Sequence, residues 1–183
     1  MSELFKKDQL NSMSVQELLD LEFSQIAIVE GFKPLPTAMY RLSLESCALE
    51  TVGENEIPAL QLKVKVYEAV AFENKADEVT FIESGTAERF PYDYQETYYL
   101  QRTNKDTQAV ESAGGTVQAF RTAFDSVATA VGLNSATAVM EWINANPGTM
   151  AQAVIKHRKY KNKETGEMRE SNQIDVVAGI NLL

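Results

Sequence analysis

The chain has 183 residues, 44% of them apolar and 23% charged, which is enough for one well-filled hydrophobic core and too few for two full domains. No low-complexity tract accompanies this composition, which disfavours wholesale disorder, and apolar runs of only a few residues fall far below the roughly 20 residues a bilayer-crossing helix requires. The net charge of -9 is unevenly spread: residues 1–155 carry 22 acidic and 11 basic side chains, whereas residues 156–183 carry four and six.

In chain order, MSELFKKDQL lacks the apolar stretch of a signal peptide, which points to a cytoplasmic protein, in the host cytoplasm if it is viral. Residues 1–13 read as a flexible leader to one domain over 14–183. Ser14 and Glu17 have the spacing of a capping box, and Val15, Leu18, Leu19 and Phe23 recur at helical intervals, so a short helix is expected. GFKPLP, from Gly31 to Pro36, ends it, because its two prolines remove donors and extend the residues before them. The period then changes to two. Tyr40, Leu42 and Leu44 alternate with Met39, Arg41, Ser43 and Glu45, and Leu60, Leu62, Val64 and Val66 alternate with Gln61, Lys63, Lys65 and Tyr67. With VGENE between them, these two strands form an antiparallel hairpin. Lys63, Lys65 and Tyr67 share the face opposite the apolar one, which fits a ligand surface or a solvated sheet face equally. Cys47, the only cysteine, reads as a small strand residue.

Phe72 to Ser84 reads as an irregular acidic connection with room for a short strand. RFPYDYQETYYLQR, residues 89–102, is rich in rings that favour a third strand; most of them belong to a core, while one or two, Tyr94 among them, could offer stacking faces. Thr116 caps a helix whose Val117, Phe120, Phe124, Val127 and Val131 share one face and which Gly132 ends. Ser135 caps another through Val139, the core residue Trp142 and Ile143, stopped by NPG. Residues 149–180 read as a long two-stranded hairpin turning at NKETGE, with Gly166 free to take positive φ.

Catalytic constellations are absent from this reading. Gly114-Gly115 has neither the spacing nor the Lys-Ser/Thr of a phosphate loop, one histidine and one cysteine make no zinc site, and the carboxylates lack calcium-loop spacing. The DYQE carboxylates are a weak metal signal, and His157 sits among cations with no orienting partner in the sequence. The expectation is a protein that is not an enzyme and has no cofactor, metal or catalytic residue.

The cations concentrate in VIKHRKYKNKETGEMRESN. Lys156, Arg158, Lys159, Lys161, Lys163 and Arg169 lie there, interleaved with His157 and Tyr160. A solvated hairpin tip with a blunted edge explains a few lysines; cations together with flat rings at strand spacing suit phosphates and bases. Phe32, Pro34, Leu35, Pro36 and Tyr40 before the first strand, a strand-rich middle, helices, and the terminal KHRKYKNKETGE hairpin running into SNQID together resemble phage-type single-stranded-DNA-binding proteins. The resemblance implies a mainly β chain with α additions: an oligonucleotide-binding (OB-fold-like) five-stranded barrel with strands near 38–47, 58–70, 90–102, 149–161 and 168–180, two or three helices and the long C-terminal hairpin. It implies sequence-tolerant binding and protection of single-stranded DNA in phage replication or recombination, with replication or recombination proteins as further partners, no membrane, and a homo-oligomer left open. Ligand contacts would fall to Lys63, Lys65, Tyr67, Tyr94, Lys156, Arg158, Lys159, Tyr160, Lys161, Lys163 and Arg169. Two rivals use the same charge: a virion structural or assembly protein whose basic hairpin docks on an acidic partner, and a host-modulating protein whose acidic body imitates nucleic acid.

Overall fold

The structure is a computed structural model and describes residues 12–20, 34–104, 106–163 and 165–183. It divides into two units, Met1–Lys33 and Pro34–Leu183. In the first, helix α1 (Val15–Asp20) opens on the expected capping box: Ser14 N–H donates to Glu17 Oε2 at 2.7 Å, and Glu17 N–H donates to Ser14 Oγ at 3.3 Å. Most of the expected leader, as well as Phe23 and Gly31 to Lys33, lies outside the described residues.

The second unit runs β1 (Ala38–Val52), β2 (Ile57–Ala71), α2 (Lys75–Glu83), a single 3-10 turn (Thr86–Arg89), β3 (Tyr92–Tyr99), and a small separate hairpin of β4 (Gln101–Thr103) and β5 (Val110–Ser112). Helices α3 (Gly114–Ala123), α4 (Asp125–Val131) and α5 (Ala136–Ala145) follow, then β6 (Thr149–Lys161), β7 (Met168–Ile174) and β8 (Ile180–Leu182). The main sheet has the order β3-β2-β1-β6-β7, with β8 also paired to β6, and every pairing is antiparallel. The protein is therefore mainly β with helical additions.

Strand alternation puts Tyr40, Leu42 and Leu44 of β1 and Leu62, Val64 and Val66 of β2 on one buried face. Tyr40 also donates its hydroxyl to the Pro36 carbonyl at 2.5 Å, so the Pro-Leu-Pro-to-Tyr spacing works as a structural clasp at the start of the sheet. Register irregularities at Met39/Tyr40, Arg41/Leu42 and Leu44/Ser46 bend the long β1–β2 pair. The five-stranded barrel expected from the resemblance is not what forms. The sheet has six strands and is not closed, since no ladder joins its terminal strands β3 and β7. One side chain spans them instead: Glu96 of β3 accepts the Ile174 N–H of β7 at 2.8 Å.

The helices cover the core with Phe120, Phe124, Val127, Val139 and Ile143, and Trp142 packs at its margin. Gly132 at φ 79° ends α4 and Ser135 Oγ caps α5 by accepting Ala138 N–H, both as the sequence suggests. The single helix expected after Thr116 starts earlier, at Gly114, and breaks at Phe124, whose φ of -101° and ψ of 8° let its ring and that of Phe120 enter the core 4.7 Å apart. Asn144 of α5 clasps β1 at Cys47, accepting its N–H at 2.9 Å and donating to its carbonyl at 2.7 Å. The connection expected to be irregular over Phe72 to Ser84 contains α2, capped by the Asn74 side chain on Asp77 N–H at 3.0 Å. None of its residues is buried, so it carries no apolar period for a sequence reading to find.

The strand expected over 168–180 is interrupted. Ile174 pairs with Ile155, and the next pairing toward the terminus is Ile180 with Ala153, so Asp175 to Gly179 loop out. Asp175 holds the loop by accepting the N–H groups of Val177 and Ala178 at 3.0 and 3.4 Å. Gly179 turns it at φ 68°, packed so closely that a Cβ would lie 3.2 Å from the Ala123 carbonyl oxygen.

Candidate nucleic-acid interface

Strand β6 outruns β1. Their pairing ends at Ala38 with Ile155, and from Lys156 onward β6 pairs with β7 alone as a two-stranded ribbon. Its root is fastened to the segment before β1. The Asn172 amide accepts Leu35 N–H and donates to the Leu35 carbonyl, both at 2.7 Å, and His157 N–H donates to Thr37 Oγ1 at 2.9 Å. The turn is closed by Asn162 N–H donating to the Glu167 carbonyl at 2.8 Å, with Gly166 at φ 73°.

The two faces of the ribbon differ in charge. Alternation puts His157 and Lys159 on one face with Glu170, whose carboxylate lies 3.2 Å from Lys159 Nζ and 3.5 Å from His157 Nε2. The histidine contact is proximity rather than a hydrogen bond, since enclosed Nε2 has no hydrogen-bond partner among the described residues. Lys156, Arg158 and Tyr160 share the other face, where Lys156 pairs with Asp175 at 2.5 Å and Tyr160 stands opposite Arg169. Among the described residues, Arg158, Lys161, Lys163 and Arg169 form no ion pair. Tyr160 is 48% exposed, so its ring can meet a ligand.

Between the ribbon root and β3 lies an open cleft lined by Arg158, Lys159, Tyr160, Ser171, Gln173 and Glu96. Glu96 is 9% exposed, and its Oε2 accepts both Ile174 N–H and the Tyr94 hydroxyl. Burial holds this carboxyl above its ordinary value of 4.5, opposed by those two hydrogen bonds and by the nearby positive charge of Arg158. Tyr94, a sequence candidate for stacking, is likewise 9% exposed and bonded to Glu96, so its ring is a core ring with no face toward a ligand.

Lys63, Lys65 and Tyr67 do lie together on the outer face of β2, but acids accompany the cations there. Lys65 Nζ is 3.9 Å from Asp93, neighbouring Arg41 is 2.5 Å from Glu68, and the Tyr67 hydroxyl is 3.3 Å from Ser43 Oγ. Lys63 alone of this group is unpaired among the described residues. This patch lies on the β1–β2–β3 part of the sheet, Ser43 standing between Lys65 on one side and Met150 on the other, whereas Arg158 lies on β6 beyond its pairing with β1. The sequence candidates therefore form two patches: among the described residues the sheet face leaves one cation, Lys63, without an ion pair, and the ribbon leaves four.

Glu96 is the member of the site that sequence reasoning missed as such. The available signal was its place in DYQETYY, where period two puts it on the same face as Tyr94 and Tyr98, an acid between two inward rings. No family model, no curated protein and no solved structure matches the chain. No helix among the described residues is long and apolar enough to cross a membrane, and no three His, Cys, Asp or Glu side chains among them gather as a metal-ligand set.

Proposed function

We propose that the protein binds single-stranded DNA, with the β6–β7 ribbon as its principal contact, in phage replication or recombination as the sequence resemblance implies. The observation that carries this reading is the ribbon face where Arg158 and Arg169, neither of them ion-paired among the described residues, flank the exposed Tyr160, on a chain whose other segments are acidic. Cations set at strand spacing meet successive phosphates, and an exposed ring between them stacks on a base. Arg158, Lys161, Lys163 and Arg169 serve the phosphates, Lys159 joins them by exchanging Glu170, and Tyr160 stacks. Lys63 and Tyr67 are left as a secondary contact.

The fold supports the same reading. An oligonucleotide-binding barrel is a five-stranded, partly open Greek-key barrel. The sheet here is not closed, but its order β3-β2-β1-β6-β7 and the Glu96 contact between its terminal strands support a reading as an opened relative of such a barrel.

The test is a fluorescence-anisotropy titration with a labelled oligonucleotide in low salt, repeated with Tyr160→Ala and Arg158→Ala. Loss of one stacking ring is expected to weaken binding by about 1 to 3 kcal/mol, and both substitutions lie on exposed positions that leave the core intact. Wild-type protein that ignores the oligonucleotide overturns the reading and favours a docking ribbon for an acidic protein partner.

A further inference from the structure

The cleft at the ribbon root holds a carboxylate that strand binding does not require. A polyanion is repelled by Glu96, and simple closure of the sheet uses only one of its oxygens: Oε2 takes both Ile174 N–H and the Tyr94 hydroxyl, while Oε1 accepts no hydrogen bond among the described residues. Oε1 is also not an enclosed, unpartnered atom of the kind that Tyr98 Oη and His157 Nε2 are, so it opens on the cleft that Glu96 lines. Beside it stands Arg158, close enough to act on the Glu96 charge yet not ion-paired with it. Ser171 and Gln173 line the same cleft with no side-chain hydrogen bond among the described residues, and Tyr160 stands at its side with an exposed ring. One fixed acceptor, one strong donor next to it and a ring to stack on are the parts of a base-reading pocket.

Resting on the interface proposed above, we propose that this cleft reads one base of the bound strand and selects an edge that sets an exocyclic amine beside a ring-nitrogen acceptor, as cytosine does, over the inverse edge of thymine. Cytosine gives N4–H to Glu96 Oε1 and accepts at N3 from one N–H of Arg158, whose remaining N–H groups stay with the neighbouring phosphate; its O2 remains for Ser171 or Gln173. Thymine in the same pose sets O4 against the carboxylate and N3–H against the guanidinium, two like-with-like contacts at the mouth of the cleft. The sequence tolerance of the ribbon is thus modulated at one position of the strand.

The experiment compares oligo(dC) and oligo(dT) of equal length at equal salt and mildly alkaline pH, where neither folds. Wild-type protein is expected to favour oligo(dC) by about fivefold or more, the lower end of what a well-made base contact contributes. An oligonucleotide of N4,N4-dimethylcytosine, which keeps the ring and loses the amine donors, is expected to bind no better than oligo(dT). Glu96→Gln keeps an oxygen for Ile174 and Tyr94 and turns its amide NH2 to the cleft, so the preference is expected to vanish or to reverse toward oligo(dT). Equal affinity of wild-type protein for dC and dT, or a dC preference that survives both the methylated ligand and Glu96→Gln, overturns the pocket while leaving the ribbon interface standing. If no oligonucleotide binds at all, the interface itself fails and the pocket fails with it.

Discussion

Tyr94 and Tyr98 point the same way from β3 and are both buried, but their hydroxyls are placed differently. That of Tyr94 donates to the Glu96 carboxylate, whereas that of Tyr98 has no hydrogen-bond partner among the described residues. Burial pushes both phenols above their usual range. Tyr94→Phe removes a donor from a buried carboxylate and is expected to destabilise the protein by about 1.5 to 3 kcal/mol in urea denaturation. Tyr98→Phe removes a buried hydroxyl that bonds to nothing and is expected to be neutral or stabilising. A larger loss for Tyr98→Phe contradicts the assignment of the Glu96 bond. At this scale the sequence is readable where partners are neighbours, as at Ser14 and Glu17. It is silent where they are distant. Glu96 meets a backbone group 78 positions away, and Asn172 meets one 137 away, so no local pattern could report either.

Elements were readable to the degree that they bury one face. The β1–β2 hairpin, β3, β6 and the capped helix α5 follow directly from apolar period and turn chemistry. Helix α2 and the loop from Asp175 to Gly179 do not, because α2 buries nothing and the loop carries two β-branched valines, Val176 and Val177, in a stretch that looks like strand. What breaks that strand is tertiary: Asp175 is held by Lys156, and Gly179 sits against the end of α3. Gly166 and Gly179 both have positive φ, so alanine costs about 1 to 2 kcal/mol of backbone strain at either position. Only at Gly179 would the new methyl press on backbone, at 3.2 Å from the Ala123 oxygen; at Gly166 the nearest atom is the flexible Lys161 Cε at 3.8 Å. Gly179→Ala is therefore expected to lower the thermal midpoint more than Gly166→Ala, and equal losses would show that the α3 contact carries no constraint.

For the whole molecule the deciding quantity is where charge is left over. Pairing at Arg41–Glu68 and Lys65–Asp93 leaves only Lys63 over on the β2 face, while four ribbon cations form no ion pair among the described residues. With a contribution of about -0.7 per phosphate for a single strand, Arg158, Lys161, Lys163 and Arg169 together set a log-log salt slope near -3. Arg169→Ala is expected to make that slope shallower by about 0.7, whereas Lys63→Ala leaves it nearly unchanged. A slope that responds to Lys63 and not to Arg169 would move the contact to the sheet face. Composition alone could locate the cations but not their counter-charges, since those come from strand register. One further property follows from Cys47, the lone sulfhydryl, which the sheet encloses completely and whose thiol loss of hydration pushes up to about 12. Neutral and shielded, it is spared by alkylating reagents until the fold comes apart, so the pace of its modification in native buffer works as an internal clock for global opening.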